Sequence, residues 1–292
     1  MTRGSRLSLF LMAAGPLAFY TVFVLLPLAQ SIQIATWNWN GLSEPTAIGL
    51  ANFSRALNDP LFIGAFRNTA LWLIVAVTVP TVLGLLLAVL LDRPLRASRV
   101  YKSAFYMPIT LSLVVVGQVW IWIYQPDWGL LNTVLRTVGL DDLTRAWLGD
   151  PATSLAAVIL AWSWQQTALS LILYLAALTT IPRDLLEAAS IDGASAWQQF
   201  RRIIVPLLRP ASVVVVALAV INTLKGFDIV FMLTKGGPFH TSSNLAMFMY
   251  SETFLKYRIG YGAAIAVALF ILAVIVIVIY FRQVRASERL YG

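Results

Sequence analysis

Cysteine is absent from the 292 residues and histidine occurs once, at His240. Disulfides, zinc-thiolate sites and thiol catalysis are therefore excluded, and a lone imidazole cannot assemble a histidine metal cluster. Charge is scarce as well. Asp, Glu, Lys and Arg make up 12% of the chain, about half the share of a soluble domain. No G-x-x-x-x-G-K-[ST] phosphate loop occurs, and such a loop is what cradles the phosphates of ATP. No serine–histidine or paired-carboxylate arrangement stands out, so no catalytic residue and no metal ligand is assigned. What fills the chain is apolar: 59% of residues are hydrophobic and the mean hydropathy is +0.79. Several apolar runs reach the roughly 20 residues needed to cross a bilayer core of about 30 Å. The chain reads as an all-α, polytopic integral membrane protein.

Six spans are expected, at about 9–30, 69–91, 108–125, 155–179, 211–234 and 261–281, within one transmembrane domain covering 1–292. The basic, apolar N-terminus is too long for a signal-peptide core and lacks a cleavage site of the A-x-A kind, so it reads as a retained first span. Thirteen of the 21 Lys and Arg residues fall on the two termini and the segments 92–107 and 180–210; seven lie in the alternate segments and Lys225 in the fifth span. Acidic residues reduce the first side to +8 and the other to zero. By the positive-inside rule, both termini and 180–210 are cytoplasmic. The excess of positive charge therefore suits anionic lipid and gives no reason to expect nucleic acid.

The segment 180–210 is polar where its neighbours are apolar. Pro182, Asp184 and Glu187 make a helix start, with proline in the first turn and carboxylates at the positive end of the dipole. Gly193 offers a cheap positive φ. Ser195 and Gln198 form an S-x-x-Q capping box for a second helix, and Pro206 and Pro210 punctuate its far end. Such a helix–turn–helix serves either as a connector in the headgroups or as a docking knob for a cytoplasmic partner.

The spacing narrows that choice. Glu187-Ala188-Ala189, three residues, Gly193, nine residues and then Ile203-Ile204-Val205-Pro206 resembles the E-A-A-x3-G-x9-I-x-L-P loop of permease subunits of binding-protein-dependent ABC importers. Val205 departs from the usual leucine. Residues 49–72 and 227–254 resemble the carbohydrate-importer branch, and Gly236-Gly237-Pro238 is similar to the maltose-transporter F-type subunit rather than its G-type partner. The resemblance implies a six-span permease with both termini cytoplasmic. Glu187, Ala188, Ala189, Asp192, Gly193 and Pro206 would form the ATPase-coupling element. It also implies a second, non-identical permease, two cytoplasmic ATPase domains and an extracytoplasmic solute-binding protein delivering a saccharide, an amino sugar or a glycerophosphodiester. This chain would bind no cofactor, ATP and magnesium belonging to the separate ATPase.

Polar residues inside the spans are the candidate solute pathway: Gln118, Trp162, Gln165, Gln166, Asn222, Lys225 and Asp228. Intramembrane charges face protein or a water-filled cavity, and Lys225 and Asp228, three apart, would share one helix face. That pair is open to two readings, pathway lining or an ion pair that neutralises itself. Gln165 and Gln166 serve either interhelical hydrogen bonds or solute contact. A different class of protein, a stand-alone secondary transporter with Asp228 as its ion site and Lys225 as counter-charge, accounts for the spans but leaves the 187–206 pattern unexplained.

Overall fold

A computed structural model describes residues 3–93, 96 and 98–288. Helix α1 (Arg3–Tyr20) passes through a π turn into α2 (Leu26–Ile34), and Trp37–Asn38 then pairs antiparallel with Thr46–Ala47, a small departure from an all-helical chain. Next come α3 (Ala51–Asn58), α4 (Pro60–Leu91), α5 (Ser98–Thr110), α6 (Leu113–Ile123), α7 (Leu130–Thr137) and α8 (Ser154–Leu178). The polar segment holds α9 (Arg183–Ile191) and α10 (Ala196–Gln199), the latter continuing through a π segment into α11 (Val205–Leu207). The chain continues through α12 (Arg209–Leu224), α13 (Asp228–Leu233), α14 (Leu245–Tyr250) and α15 (Ile259–Glu288).

Four stretches are long and apolar enough to cross a bilayer unbroken: Met12–Ile34, Pro60–Leu91, Ser154–Leu178 and Ile259–Arg282. They correspond to the first, second, fourth and sixth expected spans. The other two need correction. The third, expected as one helix over 108–125, straddles a 107° bend between α5 and α6. The 11 residues of α6 reach only about 16 Å at about 1.5 Å each. The fifth, expected over 211–234, stops at Leu224 and restarts at Asp228. Hydropathy registers how apolar a stretch is, not whether its backbone continues. Counting α5 with α6 as one crossing, and Ala196–Leu207 with α12, bent by 68°, as another, gives up to six spans.

The chain divides into two compact units. One comprises the chain up to Ile63 together with Phe248–Ile271. There Asn52, buried, donates its amide to the carbonyls of Ala35 and Trp37, both at 2.9 Å, beside a small core of Ala35, Ala264 and Val267. Tyr261 donates to Asp59 at 2.8 Å under the Arg55 guanidinium. The carboxylate of Glu252, 2% exposed, meets Lys256 at 2.6 Å and Arg258 at 3.3 Å. None of the most apolar stretch of Met12–Ile34 is buried, so lipid or another chain must cover it.

The second unit comprises Gly64–Met247 and the chain from Leu272 onward. Ala88 and Leu91 of α4 pack with Leu171, Tyr174, Leu175 and Leu178 of α8, and with Leu208 and Val215. The crossing of α4 and α8 is tight: a Cβ on Gly84 would lie 2.4 Å from Cβ of Ser170. Small residues bring helices this close where lipid supplies no hydrophobic drive for association.

Candidate functional site

Two features of the second unit concentrate polar chemistry: the hairpin α9–α10 and the two broken spans.

In the hairpin, α9 ends in a Schellman motif. Ala194 N–H reaches Ala189 O at 2.9 Å and Gly193 N–H reaches Ser190 O at 3.1 Å, with Gly193 at φ +82. That satisfies the last carbonyls of a helix through a left-handed residue. Nothing lies within 4 Å of a Cβ built on Gly193, so glycine stands there for its φ and not to bring two helices together. The capping box is present in both directions, Gln198 N–H to Ser195 Oγ and Ser195 N–H to Gln198 Oε1. Gln199, which the sequence pattern did not single out, donates to Ser190 Oγ at 2.9 Å and to Ala194 O at 3.1 Å. Glu187, Ala188, Asp192 and Gly193 are exposed and Ala189 is half-buried. Pro206 sits in the first turn of α11, before the bend at Leu208. The product is a stiff, solvent-facing knob.

Each broken span exposes backbone that hydrocarbon cannot satisfy, so protein must do so. At the first break Gln165 donates to Leu111 O at 2.6 Å and Pro108 O at 3.2 Å, while Ser112 N-caps α6. At the second, Asn244 donates to Gly226 O at 2.8 Å. Gly226 has no room for a side chain: a Cβ would lie 3.0 Å from the Trp72 ring and 2.9 Å from Thr223 O. The half-helices α6 and α13 meet at Gly117, whose added Cβ would stand 2.8 Å from that of Met232.

The candidate pathway residues divide accordingly. Gln118, Lys225 and Asp228 are exposed and Asn222 is half-buried. Trp162 is buried edge-on against Trp72. Gln165 is occupied at the bend. Gln166 is buried and accepts from Asn222 at 3.2 Å, holding that amide in place. The expectation that Lys225 and Asp228 share one helix face is corrected. Lys225 caps the end of α12 and Asp228 opens α13, with a tight turn between them closed by Phe227 N–H to Lys225 O at 2.7 Å. Among the described residues they form no ion pair with each other. No spacing in the sequence signals the reach of Asn244 to residue 226, and Glu252 likewise gave no advance sign.

A stiff polar hairpin between apolar stretches, with broken spans carrying exposed polar groups, is the architecture of a multi-span membrane protein. Residues 80–289 match the family described as the binding-protein-dependent transport system inner membrane component, and the chain belongs to that family. It is a multi-pass permease subunit of an ABC importer. The probable ABC transporter permease protein of Pyrococcus horikoshii is 37% identical over 273 residues, 93% of either chain. The xylose/arabinose import permease protein of Haloferax volcanii is 36% identical over 264 residues, 87% of this chain and 83% of that one. Among solved structures, a chain of a bacterial ABC transporter involved in alginate import superposes with a TM-score of 0.83 at 22% identity, over 99% of this chain and 98% of that one. The ion-coupled carrier has no support, since the family is that of a binding-protein-dependent transport system.

Proposed function

We propose that this permease forms one half of the membrane pathway for a sugar or sugar-like solute (a saccharide, an amino sugar or a glycerophosphodiester) handed over by a solute-binding protein. One observation carries the ATP-driven part of this reading. The E-A-A-x3-G segment is folded as a rigid, exposed hairpin closed by the Schellman motif, the capping box and Gln199. A rigid lever transmits displacement; a flexible loop dissipates it. The sugar part is supported by the naming of the Haloferax volcanii relative as a xylose/arabinose permease.

The lever, Glu187 to Gly193 with Pro206 at its far end, seats on one of two ATPase domains. These are separate chains that carry ATP and its magnesium. Both termini and the hairpin face the cytoplasm, in accord with the charge asymmetry of the loops. Closure of the ATPase pair moves the hairpin, and the broken spans beside it exchange outward for inward access. Gln118, Asn222, Lys225 and Asp228 face the solute together with a second, non-identical permease. Gln165, Gln166 and Trp162 hold that face in position.

Mild detergent extraction of the tagged chain, with mass spectrometry of what co-purifies, tests the assembly. A second multi-span permease and a Walker-motif ATPase are expected. The chain alone, from membranes containing those partners, overturns it. Uptake that persists after collapse of the proton gradient and stops on ATP depletion is the matching functional result.

A further inference from the structure

A cavity of about 600 Å³ opens where α4 and α8 end and the hairpin begins. Gln199 of the hairpin lines it, but neither Glu187–Gly193 nor any candidate pathway residue does. Leu86 and Val89, on the last turns of a span, form one wall; Trp197, stacked on Phe200 with ring centroids 5.4 Å apart, forms another. Arg93 and Arg183, both exposed, lie past the ends of α4 and α8 at the rim, with Asp92 beside them.

The geometry points to a binding site for one anionic phospholipid. Guanidinium groups match phosphate oxygens in charge and in planar donor geometry. Two arginines against one carboxylate leave the rim at a single positive charge, the complement of a singly charged phosphodiester. Leu86 and Val89 continue the apolar surface of a span, along which acyl chains already run. The glycerol region would lie against the Trp197 ring, a residue type that favours the membrane–water boundary. The volume falls within the range of small-molecule pockets, about 300–1,000 Å³, and holds a headgroup while the chains stay in the bilayer. Basic pockets between spans on the cytoplasmic side are of the kind that hold acidic headgroups. This site rests on α4 and α8 being membrane spans and is independent of which solute is carried.

The test uses the assembled transporter in phosphatidylcholine vesicles doped with brominated phosphatidylglycerol or, in parallel, brominated phosphatidylcholine, read by tryptophan quenching. Phosphatidylglycerol should quench selectively at low mole fraction, and the selective part should vanish in Trp197→Phe. Each of Arg93→Gln and Arg183→Gln should weaken it roughly fivefold, while the double lysine variant keeps most of it. Four results overturn the proposal: equal quenching by the two lipids, selective quenching that survives Trp197→Phe, selectivity untouched by the glutamine variants, or displacement by millimolar inorganic phosphate. The last would make the occupant a soluble anion. All of these readouts are separate from uptake, so failure here and failure of the importer assembly are distinguishable.

Discussion

Gln199 Nε2 stands 2.9 Å from Ser190 Oγ and donates to it across the turn at Gly193, so α9 and α10 are tied to each other beyond the turn itself. The two arms therefore move as one body. Gly193→Pro attacks the turn at its root, because proline fixes φ near −65° and the position sits at +82. The expected outcome is a chain that inserts normally yet supports no uptake above background, and Glu187→Lys should do the same by reversing the charge of the knob. Gln199→Ala removes an exposed hydrogen bond worth about 0.5–1.5 kcal/mol and should lower uptake partially with assembly intact. Wild-type uptake from a fully assembled Gly193→Pro complex would contradict the lever.

Gly84 and Gly64 both lie inside α4, yet they should respond oppositely to alanine. A Cβ at Gly84 would lie 2.4 Å from Cβ of Ser170 and 2.9 Å from the backbone nitrogen of Leu171, whereas nothing lies within 4 Å at Gly64. Gly84→Ala must push two packed helices apart, at about 1–3 kcal/mol. Gly64→Ala should be neutral or gain up to about 1 kcal/mol from helix propensity. Thermal unfolding of the purified complex separates the two, and equal responses would refute the close crossing.

What the sequence made legible was whatever is periodic or local. The hairpin could be read residue by residue, because Pro182, Gly193 and the Ser195–Gln198 box act within a few positions of themselves. The four unbroken spans were legible because apolar length is a property of one segment. The breaks at 111–112 and 225–227 were not. Neither Leu-Ser nor Lys-Gly-Phe forces a chain out of helix; the bend is stable because Gln165, 54 positions away, and Asn244, 18 away, accept the cost of its free carbonyls. The burial of Trp162 was not legible for a related reason, since its partner Trp72 lies on another helix.

Lys225 and Asp228, on either side of the second break, are expected to act independently. Because they form no ion pair with each other, Lys225→Met and Asp228→Asn should each depress uptake, and the double variant should not recover it. A self-neutralising pair would behave the other way, with the double variant close to wild type while the singles leave an uncompensated intramembrane charge. Vesicle uptake by the four proteins decides it.

Gln165→Leu should destabilise the complex more than its size suggests. The substitution keeps the bulk of the side chain but leaves the carbonyls of Leu111 and Pro108 without their donor. An unsatisfied buried acceptor costs about 1–3 kcal/mol, and interhelical hydrogen bonds in membranes average less, about 0.6 kcal/mol. Gln165→Glu, a near-isostere that cannot donate when ionised, should be at least as damaging. A thermal profile unchanged in both variants would show that the bend holds without this amide.

Glu252 offers a test of asymmetry. Its side chain is 2% exposed, while those of Lys256 and Arg258 are 36% and 50% exposed. Water can therefore replace what either cation loses, but not what the carboxylate loses. Lys256→Ala or Arg258→Ala alone leaves one partner in place and should cost no more than about 1 kcal/mol, the range of solvent-screened pairs. Removing both strands a buried carboxylate and should cost about 3–5 kcal/mol, well above the sum of the singles. Glu252→Gln returns both cations to solvent and should fall between, at about 1–2 kcal/mol. Thermal unfolding of the complex across these four variants checks the order. If the double variant costs only the sum of the singles, the carboxylate is not held in place by charge, and the hydrogen bond from Arg258 N–H to the Glu252 carbonyl is what fixes this turn.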